Sequence, residues 1–552
     1  MKSYSDFNSV EELYEFYHIQ TPNIVNEKKE GKVDIPGEDG NKDEDKPTKV
    51  INPDKLEVVY SDLKQDLKNI FKHIIVFTND RDPKNNKTLK NIIDAINDLK
   101  KAKVEIIPEL HIFIAAEIDM DDDETEITIT DGNEKFTIKE ESNLDTLIFS
   151  RLGVQDEDQC EHIVQLLQDR GFLVLNPVRY SALACNKYES AVLFKKGNIP
   201  QPNFTLMTKE ILYDEKLYEE AMKEVYPQWD VKNSDKNEEL SVVLKILDGH
   251  GGTGVALLDG KRMYAVLQMI FAIDPERRIL IQKKEEADGG DIRVHVLTLR
   301  DKQVILAAMK RVKLGGDFRS NVSLGAEAEP VKLTPEQEQI ALKTAQLSKL
   351  PWCAVDIMPL VKGSNKELGN NVVLEINASP GTAGITEVIK TNFINVLLNE
   401  LDDPNLFYLQ DKIAGFMESV KINFGEGVEK EFLAKLDTGN STKASVLEVG
   451  EFKEVGKMIE FIVDGKKIKL EKIGTSKAIA GEQTYERPMV VVPGIQLGLR
   501  KLQNVVLSLV KNRNNKQTNL LLNRDVMSKM GYVVHPNNAH ILTKEIEKVK
   551  II

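Results

Sequence analysis

Val372-Val-Leu-Glu-Ile-Asn-Ala-Ser-Pro-Gly381 decides how the middle of this chain folds and what it can hold. Its aliphatic residues form a buried strand, and Ser-Pro-Gly ends that strand in a turn. Residues two apart on a strand share a face, so Glu375 and Asn377 project together. Upstream, Ala354-Val-Asp-Ile357 sets Asp356 inside another apolar run, where a charge is costly unless paired or metal-bound. Two carboxylates and an amide oxygen make a hard donor set suited to Mg²⁺, completed by phosphate oxygens and water. Spacing alone reads equally well as the half-buried polar face of a strand.

Moving towards the N-terminus, Val242-Val-Leu-Lys-Ile-Leu-Asp-Gly-His-Gly-Gly-Thr-Gly-Val255 places Lys245 on a β-rich run. Gly249, Gly251, Gly252 and Gly254 follow it, and such a backbone can close over phosphates and offer N–H groups to them. No Gly-Lys-Ser/Thr ends the loop, so it is not a Walker loop, and a glycine-rich hairpin turn fits the same residues. Between these stretches lie Asp291-Ile-Arg293, Met309-Lys-Arg311 and Gly316-Asp-Phe-Arg-Ser-Asn321. Arginines alternating with apolar strand residues suit phosphate, acyl phosphate or a substrate carboxylate. Singly, each also fits a surface ion pair.

Taken in order, Lys187, Lys245 with its glycines, Gln282 to Arg293, Gly316 to Asn321, Asp356 and Glu375-Ile-Asn377-Ala-Ser-Pro-Gly resemble the ATP-grasp ligases. More narrowly they resemble the RimK-type ribosomal-protein glutamate ligases, whose hallmarks are Gly-Asp-Phe-Arg-Ser-Asn and Glu-Val-Asn-x-Ser-Pro-Gly. The likeness covers roughly residues 140–395 and takes in Asp145-Thr-Leu-Ile-Phe-Ser-Arg151 and Asn176. It implies that Lys187 and Lys245 contact ATP phosphates, and that the backbone at Lys283 and Lys284 holds adenine. Asp291 would approach the ribose. Arg293, Arg311, Arg319 and Asn321 would line the phosphate and acceptor region, and Asp356, Glu375 and Asn377 would hold the metal. The implied cofactors are ATP and Mg²⁺, with Mn²⁺ as an alternative ion. Two positions depart from the family. Lys283-Lys284 stands where an acidic-aromatic pair is usual, one residue closer to Asp291, and His250 occupies the glycine loop.

The implied reaction is amide formation. A carboxylate attacks the γ-phosphate to give an acyl phosphate and ADP, and an amine then displaces phosphate. Positioning and electrostatics carry such chemistry, and no nucleophilic side chain is required. The implied partners are an amino acid and a peptide or protein with a free carboxylate.

The 552 residues exceed one hydrophobic core, so several domains are expected. Residues 1–50 read as a short helix and an acidic disordered tether. Residues 51–178 read as a small doubly wound α/β domain ahead of the ATP-grasp domain of residues 179–412. Its strands are expected at Ile74-Ile-Val-Phe77, residues 104–107, residues 111–116, residues 125–130 and Asp145-Thr-Leu-Ile-Phe149. The acidic run at Asp119, Asp121, Asp122 and Asp123 reads as a solvated loop, because an EF-hand would need Gly at Glu124 and a closing Glu. No apolar run reaches membrane-spanning length and the N-terminus lacks a signal-peptide core. Three cysteines without zinc-ligand spacing point to a reducing cytoplasm. A net charge of −14 argues against nucleic acid as a partner.

Residues 421–552 carry short alternating strands and read as a small all-β barrel or sandwich. There Asp437-Thr-Gly follows an apolar strand, and Asn519-Leu-Leu-Leu-Asn-Arg-Asp525 comes later. This region resembles the retropepsin-like domain of the so-called ATP-dependent zinc protease family, a companion of RimK-type ligases. The resemblance implies a carboxylate at Asp437 that activates water. Asn523 stands where Gly is usual, and Asn440 where Ala or Ser is usual. One Asp-Thr-Gly per chain would require a homodimer to complete a pair of carboxylates. The fold class expected is thus multidomain α/β and α+β: a pre-ATP-grasp domain, an ATP-grasp fold and a retropepsin-like barrel. Two other readings stay open, an aspartic-type peptidase regulated by nucleotide and a non-catalytic peptide-binding protein.

Overall fold

The computed structural model describes residues 66–122, 126–139, 143–152, 158–247, 254–300, 302–312, 327–363, 368–408, 411–480, 483–512 and 517–546. The N-terminal helix and tether expected over residues 1–50 lie outside them.

The first layer is a parallel sheet. Strands β1 (His73–Thr78) and β2 (Glu109–Ile114) lie beside each other. After an antiparallel insert of β3 (Asp119–Asp122), β4 (Glu126–Thr130) and β5 (Lys135–Lys139) come β6 (Thr146–Arg151) and β7 (Leu173–Leu175). The parallel order is β2-β1-β6-β7. Its central strands are near-continuous apolar runs because both faces are covered. The helix Lys87–Ala102 packs on it, begun by the Asn86 side chain accepting from Leu89 N and ended by Lys103 in the left-handed region.

Two expectations need correction here. Residues 104–107 are the connection out of that helix, not a strand; Val104 N still bonds Leu99 O, and Pro108 has no N–H to give a ladder. The acidic run is not a loop: Asp119, Asp121 and Asp122 sit on the edge strand β3, paired with β4, and Asp122 takes Arg170 as an ion-pair partner.

The next stretch builds two sheets. Strands β8 (Phe204–Met207), β9 (Ser241–Ile246), β10 (Val255–Asp259) and β11 (Ile279–Lys283) order as β10-β9-β11-β8. Strands β12 (Asp291–Leu299), β13 (Lys302–Val312), β14 (Glu327–Pro330), β15 (Trp352–Pro359) and β16 (Asn371–Asn377) order as β14-β13-β12-β15-β16. The helix Pro335–Ser348 backs the second sheet, opened by a reciprocal capping box between Thr334 and Gln337. Asn176, at the end of β7, ties the first layer to this sheet. Its amide donates to the carbonyls of Trp352 and Ala378 and accepts from Trp352 N. Helix Phe393–Glu400 returns to the first layer, where Asn395 bonds Asp98 and Asn392 bonds Asn91 O. One core therefore joins Phe149, Leu89 and Ile92 with Trp352, Phe393 and Leu397.

The last stretch is all-β with one short helix. Strand β17 (Lys412–Gly415) pairs in parallel with the final strand. Six of β18 (Met417–Asn423), β19 (Glu429–Asp437), β20 (Ser445–Glu448), β21 (Phe452–Val455), β22 (Met458–Val463), β23 (Lys466–Ala480), β24 (Gln483–Leu497), β25 (Arg500–Val510) and β26 (Leu520–Asn523) close into a barrel. The closed order is β18-β19-β26-β20-β25-β24, with β24 returning to β18. The helix Arg524–Lys529 and strand β27 (Tyr532–His535) follow. The expected small all-β unit is thus a closed barrel, which removes sheet edges from its core. Among the described residues no helix is long and apolar enough to cross a membrane.

Candidate active site

Register brings the charged residues of the second sheet into one row. Arg293 of β12 lies opposite Asp356 of β15, and Asp356 lies opposite Glu375 of β16. Asp291 lies opposite Arg311 of β13, and Asn377 opposite Ala354. A bulge at Asp356/Ile357 lets Asp356 face Glu375 while the rest of both strands stays paired.

Asp356 is 1% exposed and accepts from three directions. Arg293 grips it with Nε and Nη2, both at 2.7 Å, and Arg311 Nη2 adds a bond at 2.8 Å. Asn377 Nδ2 approaches at 3.3 Å and also stands 3.5 Å from Glu375 Oε1. Arg311 spends its other edge on Asp291, Nε to Oδ1 at 2.8 Å. Burial alone would raise the Asp356 pKa, but Arg293 and Arg311 outweigh it and hold the carboxyl well below the usual range. For Asp291, burial wins over Arg311 and the carboxyl is pushed up to about 6.

This row forms one wall of a cavity of about 900 Å³. Lys245 on β9 reaches it from the opposite sheet, and Lys187 lies at the start of the helix Lys187–Lys196, whose N-cap is Asn186. Burial pulls the Lys245 pKa down to about 8, with Glu375 opposing and neighbouring Lys187 reinforcing the fall. Gly254 sits at φ +73°, and a Cβ there would lie 2.1 Å from Ile246 Cγ1, so the loop's return needs glycine. Gly251, Gly252, Arg319 and Asn321 lie outside the described residues.

Lys283 and Lys284 line the same cavity. Their N–H groups are already spent, Lys283 on Asn203 O at 2.8 Å and Lys284 on Ser241 O at 3.1 Å. Lys283 Nζ pairs with Glu285 at 3.0 Å. Beyond them, Val361 N bonds Glu286 O and Ala287 bridges Leu360, which pins this connection to the end of β15. Asp291 also lines the cavity, with both its oxygens taken by Arg311.

A second cavity of about 720 Å³ shares the walls Arg151, Arg293, Arg311, Glu375, Asn377 and Gly381, and extends to Thr78, Asn86 and Thr88. Arg151 was not picked out by sequence reasoning as a site residue. It ends β6, stands 5.7 Å from the Trp352 ring and reaches Thr88 Oγ1 at 3.5 Å; burial pulls its pKa down to about 10. The available signal was its place at the carboxyl end of a parallel strand, where open α/β sheets bind ligands. Asp437 lies elsewhere, at the end of β19 in the barrel.

Residues 184–401 match the model of the RimK-like ATP-grasp domain, the class this middle stretch resembles. Two curated relatives make the likeness particular. A probable alpha-L-glutamate ligase of Thioalkalivibrio sulfidiphilus is 38% identical over 146 residues, 26% of this chain and 44% of that protein. A probable alpha-L-glutamate ligase of Maridesulfovibrio salexigens is 34% identical over 162 residues, 29% of this chain and 50% of that protein. The chain thus spans about half the length of these relatives, 44% and 50%. The solved structure of ATP-grasp ligase PsnB complexed with minimal precursor superposes with a TM-score of 0.42 at 17% identity, covering 60% of this chain and 98% of that one.

Proposed function

We propose that this chain is an ATP- and Mg²⁺-dependent carboxylate–amine ligase that forms an amide through an acyl phosphate. The observation that carries the reading is the shared wall: two cavities meet at Arg293, Arg311, Glu375 and Asn377. Nucleotide in the larger one would direct its γ-phosphate at that wall, and a carboxylate in the smaller would arrive from the other side. The carboxylate oxygen bonds phosphorus as the bond to ADP breaks; the amine then bonds the acyl carbon, phosphate leaves and the amine loses a proton.

The residues fit the roles. Lys245 and Lys187 set positive charge against phosphates, and Arg293 and Arg311, already oriented by Asp356 and Asp291, face the point where charge transfers. Asp356, Glu375 and Asn377 would hold the cation: Glu375 projects into the cavity, Asp356 oxygens keep lone pairs beyond those the arginines use, and a half-turn of the Asn377 amide presents its oxygen. Mg²⁺ when bound supplies neutralisation of the phosphate charge. The purine would be read by the connection after Lys284, since the N–H groups of Lys283 and Lys284 are committed.

The finer reading is that an amino acid, glutamate by analogy with the relatives' names, is added to a peptide or protein carboxylate in the cytoplasm. Measuring ADP release with ATP, Mg²⁺ and single amino acids, with and without peptide acceptors, tests it. Amino-acid-dependent turnover that disappears in Glu375→Gln is expected; no turnover and no nucleotide binding would sink it.

A second reading concerns the barrel. Asp437 and Asn523 face each other on the parallel pair β19 and β26, and a turn follows in which Gly439 N donates to Asp437 Oδ1 at 3.2 Å. Asn523 knits this end together, accepting from Ser445 Oγ and donating to Thr442 O. The arrangement supports a retropepsin-like unit that binds peptide, and cleaves it only where two copies meet. Cleavage of a peptide library lost in Asp437→Asn but kept in Asp356→Ala would favour a peptidase.

A further inference from the structure

Far from the charged row, at the amino ends of β1 and β2, three metal-binding side chains converge. Register places His73 opposite Glu109, with His111 two residues further along the same face of β2. His73 Nδ1 lies 3.8 Å from Glu109 Oε2, and His111 Nε2 lies 3.9 Å from the same oxygen. All three ligand atoms fall within 4.8 Å of one another.

Neither nitrogen has a hydrogen-bond partner, although His111 is only 6% exposed. A buried imidazole nitrogen without a partner is unfavourable, and both of these aim at one carboxylate too distant to bond. The other side of His111 is satisfied: Nδ1 meets Glu134 Oε1 at 3.0 Å, on the turn between β4 and β5. That bond keeps the proton on Nδ1 and leaves the Nε2 lone pair facing His73 and Glu109. A carboxylate behind the far nitrogen is the arrangement that orients metal-ligating histidines. Phe136 stacks on His111 at 3.6 Å between ring centres and flanks His73 at 5.0 Å, so both rings are held in place. The nearby cation, Lys72, is paired with Asp145 at 2.9 Å and does not occupy the cluster.

We propose that His73, Glu109 and His111 form a transition-metal site of the zinc class, with Glu134 as the positioning residue for His111. Two imidazoles and a carboxylate select Zn²⁺ over Mg²⁺, and three protein ligands leave a fourth position for water on the solvent side, beside exposed Glu109. Ligand atoms around tetrahedral Zn²⁺ stand about 3.3 Å apart. Glu109 Oε2, now 3.8 Å and 3.9 Å from the two imidazole nitrogens, therefore needs to approach each by roughly half an ångström. The two nitrogens, within 4.8 Å of each other, need to close as well. Glu109, whose side chain is 67% exposed, is free to supply its own part of that movement, and a small rotation of the His73 ring supplies the rest. Bound metal would clamp β1 to β2 and, through Glu134, hold the β4–β5 hairpin against the sheet edge.

The test is Co²⁺ and Zn²⁺ titration of the full chain after chelator treatment, without nucleotide. One equivalent of Co²⁺ is expected, with visible absorption of four-coordinate intensity, displaced by Zn²⁺ and accompanied by a higher melting temperature. Glu109→Gln, at a position whose side chain is 67% exposed, should weaken binding at least tenfold. Glu134→Gln should weaken it roughly 10–100-fold and alter the cobalt spectrum. Asp356→Asn should leave the cobalt spectrum unchanged, which separates this site from the cation site of the second sheet. Absence of a bound equivalent, or binding equal in wild type, Glu109→Gln and His111→Asn, overturns the proposal.

Discussion

Arg293 holds Asp356 through two parallel bonds, Nε to Oδ1 and Nη2 to Oδ2, each 2.7 Å long. The fork-to-fork geometry fixes both groups, and Arg311 closes a third side, so the carboxylate is ionised inside a nearly dry wall. Replacing Asp356 by Asn would take from Arg293 the carboxylate it grips and leave Arg311 with Asp291 alone. We expect Asp356→Asn to lose about 3–5 kcal/mol of stability and at least a hundredfold in turnover. Denaturant unfolding and ADP release measure the two effects separately. Wild-type stability in that variant would show that the pair is not maintained.

Lys245 carries the pH dependence. Its folded pKa, about 8, lies below the ordinary value of 10.5 because burial disfavours the ammonium. The unfolded chain therefore binds more protons between those values, so this residue's destabilising effect is full below about pH 8 and is relieved as pH rises towards 10.5. Nucleotide binding should run the other way, since phosphates need the charged form. ATP affinity is expected to fall as pH rises through about 8, with proton uptake on binding in that range. Calorimetry in buffers of different ionisation enthalpy reads the proton, and Lys245→Met should abolish it.

Much of the Asp356, Glu375 and Asn377 row was legible because it depends on strand alternation alone. Glu375 and Asn377 share a face whatever the neighbouring strand does, and Asp356 stood out as a charge inside an apolar run. The pairing of Arg311 with Asp291 was not legible. It depends on the β12–β13 register, which shifts at His295/Val296, and a bulge cannot be counted from sequence. The same limit hid His73, Glu109 and His111, which meet only through the register of two parallel strands. Asp119 to Asp122 misled for another reason: edge strands tolerate outward charges, so an acidic run need not be a loop. In the barrel the apolar alternation was plain, whereas its closure rests on β24 returning to β18.

Glu418 anchors that barrel. It is 0% exposed, yet its oxygens accept from the backbone N–H of Gly415, Ile541, Leu542 and Thr543 and from the Thr543 hydroxyl. Removing the carboxylate strands several buried donors at once. Glu418→Ala is expected to destabilise the chain by about 3 kcal/mol or more, because each orphaned donor carries a desolvation penalty. Thermal unfolding should show it, and amino-acid-dependent ADP release per folded molecule should stay near wild type. Unchanged melting would mean that water replaces these partners freely.

Arg151 lines both cavities and so tests their roles. It ends β6 beside Thr88 and faces the smaller cavity as well as the shared wall. A guanidinium can take a carboxylate with two parallel bonds, whereas an ammonium offers a point charge on a flexible stem. If the smaller cavity receives the carboxylate substrate, Arg151→Lys keeps the charge and loses the fork. The KM for that substrate should then rise about tenfold or more, one bidentate bond's worth, while the KM for ATP moves little. Initial rates with each substrate varied in turn decide the matter. A rise confined to the KM for ATP would assign Arg151 to the nucleotide side of the wall, and no rise in either would remove it from the site.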